Sequence, residues 1–177
     1  MKKYQVIYAD PPWRYRVTIS KNRRVENHYP TMPIEDICAL RLPCADDSIL
    51  FLWATAPLIR EAFQVMAAWG FEYQTSAVWN KVLMGMGYWF RGQHEILLVG
   101  TRGQFAAPSE ELSVSSVYSE KRTKHSKKPA YFRDLIASWY PSESKLEMFA
   151  REVVPGWDAW GNEVNSSVQI GGRQTAP

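Results

Sequence analysis

The residues best suited to chemistry stand near the start of the chain, where Asp10-Pro11-Pro12-Trp13 follows the β-rich apolar run Tyr4–Ala9. Two successive prolines cannot continue a central strand, so the run ends there with an aspartate at its tip. Asp-Pro-Pro is also ordinary turn chemistry. Its place at the carboxyl end of a buried strand raises it above a turn, because the prolines bring no N–H groups to compete for the Asp10 carboxylate or the adjoining carbonyls. An acceptor pair of that kind suits an aromatic amine, whose nitrogen lone pair is delocalised into its ring. Hydrogen bonds to Asp10 and a proline carbonyl would favour a pyramidal nitrogen, aim the lone pair at an electrophilic methyl group and spread the charge that develops. Trp13 is positioned to stack on the ring bearing the amine. Such a transfer needs neither a metal nor a covalent nucleophile on the protein.

A site of this design needs a sheet whose strand ends face one way, and the rest of the chain supplies the elements. Residues 48–53 (SILFLW) form a continuous apolar run of strand length, the pattern of a strand buried on both faces. Thr55 and Pro57 then open a helix with Leu58, Phe63, Val65, Met66 and Trp69 on its apolar face, and Gly70 stops it. Residues 73–79 and 95–100 predict two more strands, separated by KVLMGMGYWFRGQH, a glycine- and aromatic-rich stretch with the character of a functional loop. Residues 114–118 predict a short strand, and Pro129 opens a helix to about Tyr140 with Tyr131, Leu135, Ile136 and Trp139 inward. Residues 145–149 and 157–160 complete about seven strands, and a short helix follows Thr31. The expected fold is α/β: a mostly parallel seven-stranded sheet with helices on both faces, its ligands bound at the carboxyl ends of the strands. One domain over residues 1–164 is expected, with an unstructured Ser-, Gly- and Gln-rich tail over 165–177.

Composition narrows the field without deciding it. A net charge of +3 and a mildly basic balance are compatible with a polyanionic partner and equally with none. The eight Trp and nine Tyr exceed what a small core needs and leave rings for flat ligands. Cys38 and Cys44 lack companions at ligand spacing, so reduced thiols are expected and no metal site is. His94-Glu95 lacks the second histidine of a zinc motif and is taken as pocket wall. The N-terminal run is too short for a signal-peptide core and no stretch reaches membrane-span length, which makes the expected location cytoplasmic.

Eight segments in order resemble the DPPW-type adenine methyltransferases, the family of the catalytic subunit of the eukaryotic mRNA adenosine methyltransferase. They are YADPPW at 8–13, HYPTM at 28–32, LFLWAT at 50–55, VWNK at 78–81, HEILLVGTRG at 94–103, HSKKP at 125–129, KLEMFAR at 145–151 and GWDAWGNE at 156–163. The resemblance implies a Rossmann-like methyltransferase in permuted order, catalytic strand first and cofactor strand last, using S-adenosylmethionine on the exocyclic N6 amine of adenine. It implies cofactor contacts from Asp10, Lys128, Glu147, Phe149, Arg151, Asn162 and Glu163. It further implies a gate at Tyr29 and an acceptor pocket walled by Trp79, Lys81 and Glu95. Two departures stand out: the cofactor strand ends in FAR without a glycine-rich turn, and Glu163 replaces the Gln of some members. With no GxGxxG anywhere, a dinucleotide cofactor is disfavoured.

Two basic stretches flank the expected site edge: Arg14, Arg16, Lys21, Arg23 and Arg24 in one, Lys121, Arg122, Lys124, Lys127 and Lys128 in the other. Charge runs are usually solvated loops; here they stand where phosphates would pass as a base is extruded. The chain has the look of a compact prokaryotic or phage-like member, which favours DNA over RNA. A second subunit, another copy or a different chain, would help so small a domain cover duplex. Two rival functions stay open: methylation of a protein glutamine amide, whose enzymes carry Asn-Pro-Pro-Tyr in this place, and a catalytically silent nucleic-acid-binding or scaffold relative, which would lose motif residues that this chain retains.

Overall fold

A computed structural model describes residues 2–14, 31–87, 89–123 and 127–171. Seven strands form one sheet in the order β5-β3-β4-β2-β1-β6-β7, with β1 Tyr4–Ala9, β2 Cys44–Ala54, β3 Glu72–Asn80, β4 His94–Arg102, β5 Val117–Ser119, β6 Lys145–Met148 and β7 Asp158–Trp160. Neighbours pair in parallel except on the two sides of β4, which runs against both β2 and β3. The other six strands therefore point the same way, and their carboxyl ends share one edge. Because β4 is reversed, it brings its first residues, His94 and Glu95, to that edge. The expected α/β class, with a mostly parallel seven-stranded sheet, is observed.

Alternation along β1 and β2 divides the core into two layers. Ile7, Ala9, Leu50, Leu52 and Ala54 pack beneath α1 (Ile34–Cys38) and α2 (Ile59–Ala68). Val6, Tyr8, Ile49, Phe51 and Trp53 pack against α3 (Ala130–Trp139) through Phe132 and Ile136. Residues 6–9 and 49–54 of these strands are buried on both faces, which is why those stretches read as apolar runs. Trp53 is fully buried, and truncating it to alanine would cost about 3–5 kcal/mol.

Several elements differ in detail from the expectations. β2 begins at Cys44, because the polar CADD stretch pairs beyond the bulge where Tyr4 meets Cys44. Ala56–Leu58 forms a 3₁₀ turn ahead of α2, and Thr55 makes no side-chain cap bond to its backbone. Phe63 lies outward, where it packs on Tyr73, and Ala62 takes the buried position. Gly70 ends the helix at a φ of 80°, as its sequence position suggested. In α3 the buried residues are Phe132 and Ile136, with Tyr131, Leu135 and Trp139 only half-buried. The tail expected from Asn165 is ordered through Gly171: Ser167 bonds Ala159, Arg41 N–H donates to Gly171, and Ile170 is buried in the core. Val168, partly buried, packs against the same core as Ile170 and helps anchor that stretch, and residues 172–177 lie outside the described residues.

Candidate active site

The site is built at the carboxyl edge. β1 lies between β2 and β6, so Asp10 emerges beside Trp53 and Phe149, and its N–H reaches toward Met148 O at 3.5 Å. Lys128, two residues ahead of α3, donates to Asp10 Oδ2 at 2.7 Å and lies 3.2 Å from Glu95 Oε2. Lys81, at the end of β3, donates to Glu95 Oε1 at 3.2 Å. Four charges of alternating sign thus run Asp10–Lys128–Glu95–Lys81. Only 9% of the Lys128 side chain and 21% of Asp10 remain exposed, and the Lys128 ammonium lies over the Trp53 ring at 5.5 Å.

Burial sets the proton affinities and the partners adjust them. Burial pushes the Asp10 carboxyl above the ordinary aspartate range; Lys128 opposes the shift and Glu95 adds to it. For Glu95 burial also pushes upward, but Lys128 and Lys81 together outweigh it and hold the group below its usual range. Lys128 is held above the usual lysine range, since its two carboxylates overcome the opposing effect of burial.

Beside this network lies a cleft of about 480 Å³, within the range of small-molecule sites. Asp10, Lys128, Glu147, Phe149, Arg151 and Glu163 line it together with Tyr8, Thr123, Lys127, Arg133 and Glu152. Phe149 sits at a φ of 61°, an uncommon conformation for an aromatic residue, and packs on Trp160 at 5.3 Å. This turns the chain sharply at the end of β6. The return is close: Ala150 N–H donates to Trp160 O at 2.9 Å, and a Cβ at Gly161 would collide with the Ala150 backbone.

The structure thus gathers Asp10, Lys128, Glu147, Phe149, Arg151 and Glu163 around one cleft, and joins Lys81 and Glu95 to Asp10 through Lys128. Asn162 is exposed and outside the cleft lining. Trp79 is buried, donating to Glu120 O at 2.8 Å, and supports Lys81 from below instead of walling a pocket. Trp13 also differs from expectation. It is 5% exposed and its indole N–H donates to Trp53 O at 3.1 Å, so here it anchors the Asp10 turn in the core instead of offering a face for stacking. The proline carbonyls do meet donors, Trp13 N–H on Pro11 O and Met32 N–H on Pro12 O, both at 2.8 Å. Trp13, two residues on, and Met32, from the segment that pairs with Trp13, supply the N–H groups that the prolines lack, leaving one lone pair on each oxygen.

Arg14 is exposed and bonds Thr31, and Lys121 and Arg122 are exposed just past β5. Tyr29, Arg16, Arg23, Arg24 and Lys124 lie outside the described residues. Sequence reading missed Arg133, which donates to Glu147 at 3.1 Å and to Glu152 at 2.9 Å. The signal was its place one turn into a helix that starts at the site edge. Its Nε is a buried donor with no hydrogen-bond partner among the described residues. Burial raises Glu147 above the ordinary glutamate range, with Arg133 opposing.

A sheet of this order, with an acid at the tip of its first strand and a charged cleft at the end of its sixth, defines a Rossmann-like methyltransferase. Residues 4–163 match MT-A70, and the chain belongs to that family. Among its relatives, the Type II methyltransferase M.MunI of Mycoplasma sp is 36% identical over 183 residues, covering 92% of this chain and 78% of the relative. The human N(6)-adenosine-methyltransferase catalytic subunit METTL3 is 28% identical over 174 residues, and there the chain spans only 28% of the relative's length. The mouse N(6)-adenine-specific methyltransferase METTL4 is 25% identical, with 38% of its length covered.

Proposed function

We propose that this chain transfers a methyl group from S-adenosylmethionine to the N6 amine of adenine in nucleic acid, with DNA as the favoured acid. The observation that carries the reading is the Asp10 carboxylate at the tip of β1, fixed by Lys128 and bordering the charged cleft. Membership of the MT-A70 family supports the reaction class. DNA is favoured because the relative at 36% identity is named a type II methyltransferase and not an adenosine methyltransferase.

The cleft fits the cofactor chemically. Arg133 Nε, a buried donor lacking a partner among the described residues, suits a carboxylate, as do Lys127 and Arg151; Glu147 and Glu163 suit ribose hydroxyls, and Phe149 an adenine ring. S-adenosylmethionine supplies an electrophilic methyl on a sulfonium, so the protein need only bind, orient and accept protons.

Asp10 does the orienting. Lys128 takes Oδ2, and Oδ1 with the remaining lone pair of a proline carbonyl accepts the two N–H bonds of the adenine amine. Held this way, the nitrogen lone pair turns out of the ring plane toward the methyl. One N–H proton must leave once the new C–N bond has formed, and a carboxylate whose proton affinity burial has raised is suited to take it at Oδ1.

The reading is tested by incubating the protein with tritiated S-adenosylmethionine and DNA or RNA oligonucleotides, then identifying the labelled nucleoside. Label on N6-methyldeoxyadenosine is the expected result. Label confined to RNA would correct the substrate, and label on neither acid with cofactor bound would refute the reaction.

A further inference from the structure

The segment joining β3 to β4 places large apolar side chains in water at the edge that holds Asp10. Trp89 is 92% exposed and Phe90 89%, with Met84 and Met86 also largely exposed. Isolated exposed apolar residues are common, but two adjacent, almost fully exposed aromatic rings on one short loop mark a contact surface. The loop is well built. Lys81 N–H donates to Gln93 O at 2.7 Å, Gly85 N–H to Gly92 O at 2.7 Å, and Arg91 Nε to Gly85 O at 3.0 Å, while the Asn80 side chain ties Val82 to Gln93.

We propose that this loop is a wedge that enters a nucleic-acid duplex at the target step, with Trp89 and Phe90 stacking on the bases uncovered when the adenine is extruded. The inference rests on the adenine-methylating reading. Three observations choose nucleic acid over a protein. The loop leaves the sheet from the ends of β3 and β4, whose Lys81 and Glu95 belong to the Asp10 network, so whatever it touches stands beside the reacting base. No acidic residue occurs between Lys81 and His94, while Arg91 lies within the loop. The basic loop after β5 leaves the sheet alongside, since Glu120 N–H donates to Asn80 O at 3.1 Å, and it carries exposed Lys121 and Arg122 for the phosphates. Taking a base out of a stack leaves a gap between flat neighbours, and inserted apolar side chains are a known means of filling one. Stacking of this kind tolerates any sequence, because every base has a π-face.

The test uses wild type, Trp89→Ala/Phe90→Ala, and Trp89→Tyr/Phe90→Tyr, each checked for an unchanged melting temperature, which is expected because neither ring touches the core. Binding is measured by fluorescence anisotropy to an intact DNA duplex and to the same duplex carrying one abasic site, and methyl transfer to plasmid DNA is followed separately. Wild type should prefer the abasic duplex; the alanine variant should lose that preference and bind it roughly tenfold to a hundredfold more weakly, with tyrosine restoring both. Equal binding by wild type and the alanine variant would overturn the wedge. So would a wild type without the preference whose dimer falls apart in the alanine variant, which would give the loop to a second copy of the chain. A preference retained by a wild type that methylates nothing would refute the enzymatic reading and leave the wedge standing.

Discussion

Two hollows border α3, and they differ in almost everything except size. The cleft of about 480 Å³ opens at the carboxyl edge, and most of its lining residues carry a charge. The other, about 350 Å³, lies over the sheet face between α3 and residues 105–116, where Phe51, Leu97, Val99, Phe105, Leu135 and Trp139 form its walls without a single charged side chain. α3 contributes to both, with Ala130 and Arg133, beside the preceding Pro129, on one side and Tyr131, Leu135 and Trp139 on the other. A cavity alone is therefore a poor guide to chemistry. What separates the two is strand polarity: the carboxyl edge collects the tips of β1 and β6 and the reversed start of β4, and there Asp10, Glu95 and Lys128, from distant parts of the chain, meet in one buried network.

The comparison breaks if charge at the edge turns out to be dispensable. The largest effect is expected from Lys128→Met, which leaves Asp10 and Glu95 buried without the cation between them. Stability should fall by roughly 3–5 kcal/mol in thermal or urea unfolding, and methyl transfer should fall with it. Activity requires ionised Asp10 and so declines as pH drops through its raised value. Losing Lys128 raises that value further, moving the acid limb of the kcat/KM profile to higher pH.

Glu95→Gln sharpens the same point with the opposite sign. Removing a carboxylate that raises Asp10 should move the acid limb to lower pH, while stability loses a contribution that wild type enjoys above the ordinary glutamate range and gives up as pH falls through the lowered value of Glu95. A profile that shifts in the same direction for both variants would show that Asp10 is not the titrating group. The smallest effect belongs to the apolar hollow. Val99→Ala should cost roughly 1 kcal/mol of stability by removing part of a half-buried side chain, with kcat/KM unchanged. A loss of activity there would show that the hollow is more than a sheet face left partly covered.

Much of this contrast was legible in the residues, for identifiable reasons. β1 was bounded correctly because two prolines stop a strand wherever they fall, and Asp10 stood out because it follows one. Lys128, Glu147, Phe149, Arg151 and Glu163 came from ordered motifs, and the structure puts them around one cleft. The ion chain was not legible, since Asp10 and Lys128 are 118 residues apart and only the sheet order joins them. Trp13 misled because a flat ring next to a reactive carboxylate suggests stacking, whereas its indole turns under the end of β2. Arg133 was hidden by its place in a helix read only for its apolar face. Ile170 was lost in a polar tail, where composition has no means of showing that one residue reaches the core.

The most direct test is Asp10→Asn, a near-isosteric change that removes the charge and keeps the fold. S-adenosylmethionine binding by calorimetry should stay within roughly tenfold of wild type, while single-turnover transfer to adenine in DNA should fall by about a hundredfold to a thousandfold. An Asn variant that methylates N6 at the wild-type rate would remove Asp10 from the reaction and contradict the account.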